Sequence, residues 1–576
     1  MKFKFILSMI CLLLLWRIIP AVAQEKPHTQ IIIHSHLENR HGARQLIVAG
    51  KPFTMISGEL HNSTSSAPAY FDKAMKNVLK MNVNSVIASV SWEQLEREEG
   101  RYDFTILDHI IKSAHDHQLK VALIWFASWK NGESSYMPIW AKIDTKRFFR
   151  IKDKAGNDMS AVSPFCEAAK KADAKAFTAM MRHINLKNQY NDVVMIQVEN
   201  EVGAFSDIDH GKEAQALYHA VVPAGLTSYL QQHKNELDEY VKDAWARNGA
   251  KIYGTWAELF GEDSLVAQHL FMTWYYARYI NAVCKLGKGA YNLPMYVNAW
   301  QDHSGQLPGK YPNGGPLAKV MDIYRAAAPA IDFIAPDIYL PNYRQICDKY
   351  CKLEKNNPLF IPECERTNPG KAFYALGQDD ALGFGPFGIE SLVADRAYAQ
   401  SNGVLMEMLP LITRYQGTRH MRGFLQQADE DSVVMDIGKY HIIVKYIGID
   451  KRSYGVILQT GEQDYLIAGM NCRITFSSLH PGAMAVIGEV LEGGFRNHKW
   501  YTTRQLNGDE TWHNHALIVD SRSYVDTLNS GGKDMVQVLA PVAVLDERLE
   551  PGLEAKTISA PALYKVKIYD AFKLGN

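Results

Sequence analysis

Eight short apolar runs that alternate with amphipathic helical stretches constrain the fold of this chain more than any other feature. The runs, most of them bounded by Gly, Pro, Asn or charged residues, are Phe53–Ser57, Ser85–Val90, Lys120–Phe126, Val193–Val198, Met295–Ala299, Phe333–Ile338, Leu359–Pro362 and Ala381–Phe387. The segments between them carry apolar residues at the spacing of one helix face. Examples are Leu107, Ile110, Ile111 and Ala114, and Phe177, Met180, Met181 and Ile184. Eight buried strands that alternate with helices over roughly 350 residues predict an α/β fold, a (β/α)8 TIM barrel with insertions.

The longest insertion lies between the fourth and fifth apolar runs, from about residue 204 to residue 290. Its apolar spacing predicts a mostly helical segment, with helices over Tyr229–Asp243 and Leu265–Cys284. An insertion of this length at one barrel loop would add a local subdomain without changing the eightfold repeat.

The pattern changes after about residue 425, where closely spaced strand-like stretches are separated by turn residues such as Gly438 and Gly461. The stretches are Ser432–Met435, Tyr440–Tyr446, Tyr454–Leu458, Ile474–Phe476, Met484–Val490, Ala516–Val519, Val536–Leu539 and Leu563–Ile568. Such a series predicts an all-β, sandwich-like domain. With a junction in Thr413–Gly423, we predict a barrel domain over residues 24–420 and a C-terminal β domain over residues 421–576.

The first 23 residues have the pattern of a secretory signal peptide. Lys2 and Lys4 precede the apolar run Phe5–Trp16, and the small residues Ala21-Val22-Ala23 form a cleavage site before Gln24. The run is too short for a confident membrane span, and no second apolar stretch of about 18 residues follows it in the sequence. We therefore predict a secreted or periplasmic protein without a membrane span.

Charge and cysteine content exclude several classes of function. The chain has 62 basic and 62 acidic side chains and no run of Lys or Arg, which argues against nucleic-acid binding through counterion release. Six cysteines after the signal peptide are too few for a disulfide framework in a chain of this size. Cys347 and Cys351 have a spacing that would suit a metal on a helix, but no neighbouring His or Cys completes a ligand set, so we expect buried or loosely paired thiols and no metal.

Two of the apolar runs end abruptly in acidic residues. The run at Val193–Val198 is followed by Glu199-Asn200-Glu201, and the run at Leu359–Pro362 is followed by Glu363. In a (β/α)8 barrel the carboxyl ends of the strands surround the active site, so acids on strands four and seven would converge there. Glycoside hydrolysis requires two such carboxyl groups, one protonated to donate to the leaving oxygen and one ionised. Carboxyl groups about 5–5.5 Å apart would give retention of configuration.

Three segments, at Gln197–Gly203, Ser91–Phe104 and Phe53–Ser63, carry a resemblance to a known family. The family is glycoside hydrolase family 35, the β-galactosidase family of clan A, which is related to family 42. QVENEVG at Gln197–Gly203 resembles the acid/base motif of family 35. SWEQLEREEGRYDF at Ser91–Phe104 is similar to the second-strand region of families 35 and 42, and FTMISGELHNS at Phe53–Ser63 resembles the first strand. The resemblance covers roughly residues 45–400, and the β domain resembles the uncharacterised domain that follows the barrel in a bacterial subgroup.

The resemblance implies roles for individual residues. Glu201 would be the general acid/base, Glu363 the nucleophile, Asn200 a partner of the sugar 2-hydroxyl, and Tyr339 a donor to the nucleophile. Other residues at or just after strand ends are candidates to line the sugar site: Glu59, Trp92, Glu93, Trp125, Trp129, Asn298 and Trp300. Glu199 and Glu365 stay open as rival acids, and Trp125 and Trp129 have core packing as their alternative.

The resemblance implies a secreted, retaining hydrolase that removes terminal β-galactosyl residues without a cofactor. Val202, where many family members have Tyr, and Gly58–Asn62, which differs from the usual first-strand ending, leave the sugar itself open. The alternatives are another clan A glycosidase of family 42 or β-glycanase type, a non-catalytic carbohydrate-binding barrel, and an adhesion protein that uses its β domain.

Overall fold

The computed structural model describes residues 34–262, 264–351, 356–392, 395–447, 452–506, 511, 516–519 and 561–572. The predicted signal peptide at residues 1–23 and the predicted strand Val536–Leu539 lie outside the described residues. The chain from His34 onward forms one compact unit. Across the described ranges, none of the helices combines the length and the apolar character needed to cross a membrane.

Eight parallel segments close into a barrel, as the apolar runs predict. Six of them are Met55–Ile56, Ser85–Ser91, Lys120–Lys130, Val193–Asn200, Met295–Trp300 and Phe333–Asp337, followed by the extended segment 359–364 and by Gly383–Phe384. The second to sixth strands form one parallel sheet, and the eighth pairs with the first. Parallel bridges join Glu59 to Ile87, Ile338 to Cys364, and Ile361 to Phe384, which closes the ring through the first and seventh segments.

The helices of the structure surround this barrel and fill its loops. They are Pro68–Val78, Trp92–Leu95, Thr105–Asp116, Ile139–Ile143, Glu167–Lys187, Lys212–Tyr218, Ala224–Gln232, Glu239–Arg247, Trp256–Phe260, Leu265–Ala290, Met321–Ala327, Tyr343–Tyr350, Gly370–Gln378 and Arg396–Tyr415. The two predicted apolar helix faces are buried on Thr105–Asp116 and Glu167–Lys187. The predicted helix Tyr229–Asp243 is instead two helices, because the chain turns at residues 233–238 and Asp238 caps the second helix by accepting the Tyr240 amide.

A three-stranded antiparallel sheet covers the amino-terminal end of the barrel. Its strands are His36–Arg40, Ala43–Val48 and Lys51–Phe53. Leu46 and Val48 join a buried cluster with side chains of the barrel strands, such as Ile124 and Phe360. The opposite end, where the strands terminate in polar residues, is the one left for a site.

The C-terminal part of the chain forms two antiparallel sheets. One contains Met421–Leu425, Tyr454–Gln459, Asp464–Met470, Ala562–Phe572, Ala483–Arg496 and Lys499–Leu506, in that order. The other contains Ser432–Ile437, Tyr440–Tyr446, Cys472–Ser478 and Ala516–Val519. Both contribute to one buried cluster, with Ile457 and Ile467 from the first sheet and Ile442 and Ile474 from the second. The prediction of an all-β, sandwich-like module after the barrel is confirmed.

The first of these sheets packs directly on the barrel. Helix Gly370–Gln378 lies against it so closely that a Cβ at Gly377 would lie 3.1 Å from the Cα of Gly423. Phe373 contacts the Tyr454 ring at a centroid distance of 5.1 Å. The predicted domain boundary at residues 420 and 421 falls between helix Arg396–Tyr415 and strand Met421–Leu425, and that boundary stays a prediction.

Candidate active site

The fourth barrel strand, Val193–Asn200, is buried along its whole length and ends in the predicted acids. Glu199 and Glu201 both have a left-handed backbone, with φ of 63° and 46°. Such conformations are uncommon for residues other than glycine and are found where a turn redirects side chains. The Glu201 amide donates a hydrogen bond to Asn298 Oδ1 at 2.9 Å, which fixes this turn against the fifth strand.

Glu199 is directed away from the barrel mouth. Its two carboxyl oxygens accept the backbone amides of Ser128 at 3.2 Å and Trp129 at 2.8 Å. Its carboxyl group also hydrogen-bonds Asp173 on the surrounding helix layer, and burial followed by the Asp173 charge raises the pKa of Glu199 well above its usual range. The geometry therefore favours Glu201 over Glu199 as the acid that faces a substrate.

Glu363 lies at the end of the seventh segment and is buried. The Tyr339 hydroxyl, at the end of the sixth strand, donates a hydrogen bond to Glu363 Oε1 at 2.5 Å. Burial, and next the nearby Glu363 charge, raise the pKa of Tyr339, so this phenol remains a hydrogen-bond donor. Within the part of the chain that the structure describes, Glu363 Oε2 has no hydrogen-bond partner and is free to meet a ligand.

Glu365, the rival of Glu363, is held in the loop beyond the strand. It forms an ion pair with Lys371 at 2.5 Å and accepts the Thr367 amide at 2.5 Å. Burial acts to raise the pKa of Glu365, but the Lys371 charge and these hydrogen bonds outweigh it, and the net pKa is lowered. Glu365 therefore has a structural partner, while Glu363 faces the candidate site.

The charge of Glu363 acts on the carboxyl group of Glu201 across the barrel mouth. Burial first, and then the charge of Glu363, raise the pKa of Glu201 to about 7, although the Lys130 charge opposes this. A carboxylic acid with a pKa near neutrality can both donate and accept a proton at physiological pH. The pair thus separates into one acid suited to proton transfer and one held by a tyrosine donor.

Further polar groups in this region have no protein partner. Both carboxyl oxygens of Glu59 and both side-chain amide atoms of Asn200 are buried without a hydrogen-bond partner among the described residues. Burial, followed by the charge of Glu363, raises the pKa of Glu59 well above its usual range. Buried polar groups are usually satisfied, so a cluster of unsatisfied ones marks a place where a polar ligand would complete the bonding.

Three of the aromatic residues proposed for the sugar site are core residues instead. Trp92, Trp125 and Trp129 are completely buried in the cluster formed with the surrounding helices. Their ring N–H groups are occupied, as in the bond from Trp125 to Asp173 at 2.8 Å. The correction follows from strand alternation, because Trp125 lies between the inward residues Ile124 and Phe126 and therefore points outward.

The remaining predicted residues divide between the rim and the support of the site. Trp300 is half-buried and meets the exposed Phe205 ring at a centroid distance of 6.1 Å. Glu93, on helix Trp92–Leu95, forms an ion pair with Lys142 of helix Ile139–Ile143 at 3.1 Å. Asn298 lies beneath Glu201, and both of its amide atoms are used by protein groups, so it supports the site rather than presenting free atoms to a ligand.

Sequence reasoning missed two ionisable residues of this region, Lys130 and Asp337. Lys130 ends the third strand, which runs four residues beyond the predicted end at Phe126. Its charge opposes the rise in the pKa of Glu59 and of Glu201 that burial causes. Asp337 is completely buried and accepts the Asn298 amide at 2.6 Å. Its position two residues before Tyr339, on the same strand face, is the signal that would have identified it.

Within the described ranges, no group of three His, Cys, Asp or Glu side chains is arranged to hold a metal ion. Cys347 is buried and Cys351 half-buried near the end of helix Tyr343–Tyr350, and neither is in a disulfide. Burial raises the pKa of both thiols, which keeps them in the protonated form that binds metals poorly.

Comparison with known proteins gives two matches to protein-family models. Residues 45–259 match the model of glycosyl hydrolases family 35, and residues 398–517 match the model of a domain of unknown function, DUF5597. The first match includes Glu201 and ends before Glu363. It confirms the resemblance that the QVENEVG segment predicts, and the second match confirms a separate C-terminal element.

Individual relatives are distant. A β-galactosidase from Xanthomonas manihotis is 26% identical over 195 residues, which are 32% of this chain and 29% of that protein. β-Galactosidase structures from Bacillus circulans sp. alkalophilus and Rahnella sp. R3 are 14% and 16% identical, with TM-scores of 0.42 and 0.44. They cover 62% and 65% of this chain and 57% and 58% of their own chains. The chain therefore spans less than a third of the curated relative that it matches.

Proposed function

We propose that this chain is a retaining glycoside hydrolase that removes terminal β-galactosyl residues from oligo- or polysaccharides. The observation that carries the proposal is the pair of buried acids at the barrel mouth, in which the Glu363 charge helps to raise the pKa of Glu201 to about 7. Two carboxyl groups in different environments are what double displacement at an anomeric carbon requires. No step in this mechanism uses a metal or a cofactor.

Glu363 acts as the nucleophile in the first step. Its Oε2 attacks the anomeric carbon while the Tyr339 hydroxyl holds Oε1. As the C–O bond to the leaving group breaks, the bonding electron pair moves to the leaving oxygen, and Glu201 gives that oxygen its proton. The products are the free leaving group and a covalent glycosyl-Glu363 ester.

Glu201 acts as the general base in the second step. As a carboxylate it accepts a proton from water, and the water oxygen bonds to the anomeric carbon as the ester bond to Glu363 breaks. Glu363 leaves as a carboxylate and Glu201 is again protonated, so the enzyme returns to its initial state. A pKa of about 7 suits Glu201 to both directions of proton transfer.

The unsatisfied polar atoms nearby bind the sugar. Asn200, directly before Glu201, presents both amide atoms and is placed to hydrogen-bond the 2-hydroxyl, a contact that strengthens in the transition state. Glu59, whose pKa is raised by burial and then by the Glu363 charge, offers its two unpartnered carboxyl oxygens to another sugar hydroxyl. Trp300 forms a half-buried aromatic wall at the rim.

The galactose assignment depends on the resemblance to β-galactosidases, since the barrel geometry by itself suits several β-sugars. Secretion depends on residues 1–23, whose sequence has the pattern of a signal peptide. The formal net charge of zero suits a neutral carbohydrate and disfavours nucleic acid as a partner.

The proposal is tested with a panel of nitrophenyl β-glycosides and three variants. We expect Glu363→Gln to lose nearly all turnover, because no carboxylate remains to attack the anomeric carbon. Glu201→Gln should lose more activity on poor leaving groups than on activated ones, which need less proton donation. Glu213→Gln, on helix Lys212–Tyr218, is the matched control and should retain full activity.

Full activity of either site variant would overturn the mechanism. Turnover of glucosides but not galactosides by the wild-type protein would overturn the sugar assignment and leave the paired-acid mechanism in place. Binding of sugars with no hydrolysis of any member of the panel would point to a non-catalytic carbohydrate-binding barrel.

A further inference from the structure

A third carboxyl group, that of Asp337, contacts the proposed acid/base. Asp337 Oδ2 accepts the Asn298 amide at 2.6 Å, and the Asp337 carboxyl group hydrogen-bonds that of Glu201. Asp337 Oδ1 is buried, and no group in the described part of the chain donates a hydrogen bond to it. Two carboxyl groups can hydrogen-bond only if a proton lies between them, so the contact fixes a protonation state as well as a geometry.

Two features favour Asp337 as the group that holds this proton. Asn298 donates to Oδ2, so that oxygen serves as the acceptor and Oδ1 is left to carry the hydrogen. Complete burial, followed by the charges of Glu363, Glu201 and Glu59, raises the pKa of Asp337 well above its usual range.

Other strands bring further titratable groups toward this cluster. They are Glu59 on the first strand, Lys130 on the third, Tyr296 on the fifth, Tyr339 on the sixth and Glu363 on the seventh. Lys130 is the one cation among these groups, and its charge opposes the rise in the pKa of Glu59 and of Glu201.

We propose that Asp337 is a positioning residue that keeps its proton through the whole cycle and donates it as a hydrogen bond to Glu201. This inference rests on the proposed function, because it assigns Glu201 the acid/base role. Asn298 holds the two residues in place, because its Oδ1 accepts the Glu201 backbone amide and its Nδ2 donates to the Asp337 carboxyl group.

The hydrogen bond would assist proton transfer in a specific way. When Glu201 is protonated, Asp337 donates to its carbonyl oxygen, and the Glu201 proton is left on the oxygen that faces the sugar. When Glu201 gives that proton to the leaving group, the Asp337 bond becomes a bond to a carboxylate, which is about twice as strong. An interaction that strengthens as the reaction proceeds lowers the barrier. Asp337 itself neither gains nor loses a proton.

The substitution Asp337→Asn separates this role from a simple structural one. The asparagine amide can donate to Glu201 while its oxygen accepts from Asn298, which reproduces the protonated aspartic acid. Asp337→Leu has a similar volume but no donor or acceptor. Asp192→Asn is the matched control, because Asp192 is a buried aspartate just before the same strand that leads to Glu201, at the opposite end of the barrel.

The measurement is kcat/KM against pH on an aryl β-galactoside with a poor leaving group, together with thermal unfolding of each variant. We expect Asp337→Asn to lose less than about tenfold and to keep the basic limb close to its wild-type position, since the donor is retained. We expect Asp337→Leu to lose about 100-fold or more and to move the basic limb to higher pH, because ionised Glu201 is no longer stabilised. Asp192→Asn should keep the wild-type pH profile, while its thermal stability falls because the ion pair with Lys120 is lost.

A loss of 100-fold or more in folded Asp337→Asn, with the basic limb moved to lower pH, would overturn the proposal. That result is expected if Asp337 is ionised, because removing an adjacent negative charge lowers the pKa of Glu201. Wild-type activity in Asp337→Leu would also overturn it. If Asp337→Leu does not fold, the pH profile of kcat/KM for Asp337→Asn is sufficient to test the proposal. Failure of the proposed function is distinguishable, because it appears as an inactive wild-type protein.

Discussion

Replacing Tyr339 by Phe should slow the second half of the reaction selectively. The Tyr339 hydroxyl donates to Glu363 Oε1 at 2.5 Å, and the substitution removes this donor while leaving the ring. In the glycosyl-enzyme Glu363 is esterified through Oε2, so Oε1, the oxygen that Tyr339 binds, carries little charge. Negative charge returns to Oε1 as the ester bond breaks. The hydrogen bond is therefore stronger in the transition state of the second step than in the intermediate, and its loss should raise that barrier.

The magnitude follows from the contact. A hydrogen bond to a charged group contributes about 1.5–3 kcal/mol. Tyr339 is 47% exposed, so water can replace part of the lost bond, and we take the lower part of that range. About 1.5–2 kcal/mol corresponds to a decrease of about 10- to 30-fold in the rate of the second step.

A dinitrophenyl β-galactoside makes this step visible, because its good leaving group makes breakdown of the intermediate rate-limiting. With Tyr339→Phe, we expect kcat to fall about 10- to 30-fold, KM to fall with it as the intermediate accumulates, and dinitrophenolate to appear in a burst. The control is Tyr324→Phe, which removes a buried hydroxyl bound to the Gly314 carbonyl and should affect stability only.

A kcat within about twofold of wild type, or a fall in kcat with no burst and no decrease in KM, would refute the reasoning. An unchanged kcat would mean that the Tyr339 hydroxyl does not stabilise the negative charge that returns to Glu363 as the ester bond breaks. In the second case the substitution acts on the first step, and Tyr339 would then serve to place the nucleophile for attack.

Three further predictions follow from the same site. Because Glu201 must be protonated to act as the acid and its pKa is about 7, kcat/KM for substrates with poor leaving groups should fall as the pH rises through about 7; a flat profile from pH 6 to 9 would contradict this. Lys130→Met removes a charge that lowers the pKa of Glu201, so the basic limb of the same profile should move to higher pH, and a move to lower pH would contradict it. In Glu199→Gln the new side-chain NH2 group would face one of the two backbone amides, of Ser128 and Trp129, that now donate to the carboxyl oxygens. The free energy of unfolding should therefore fall by about 1–3 kcal/mol in denaturant titrations, and unchanged stability would show that the buried carboxyl group is not needed.

Local patterns in the sequence were sufficient for the order of the elements. The apolar runs predict the barrel strands because a buried parallel strand needs both faces apolar, and this requirement is visible without tertiary information. Their ends were harder to predict. The third strand continues from Phe126 to Lys130, and a lysine so far beyond an apolar run gives no local sign that its charge acts on the carboxyl groups of other strands.

Side-chain direction at the strand ends was only partly predictable. Regular alternation would put Glu199 and Glu201 on one face, and the acid/base role of Glu201 followed from the resemblance of the QVENEVG segment. In the structure the left-handed backbone at Glu199 breaks the alternation and sends its carboxyl group to Asp173. That partner lies 26 residues earlier on a helix, and no local pattern connects the two.

The sequence by itself determined the (β/α)8 order, the all-β module and the two strand ends that carry Glu201 and Glu363, since each depends on periodicity within a few residues. Only the tertiary structure decided which tryptophans turn outward, which acids have structural partners, and that Asp337 meets Glu201. Those outcomes depend on contacts between strands far apart in the chain, and on burial, which sets the charge state of a carboxyl group from its whole surroundings.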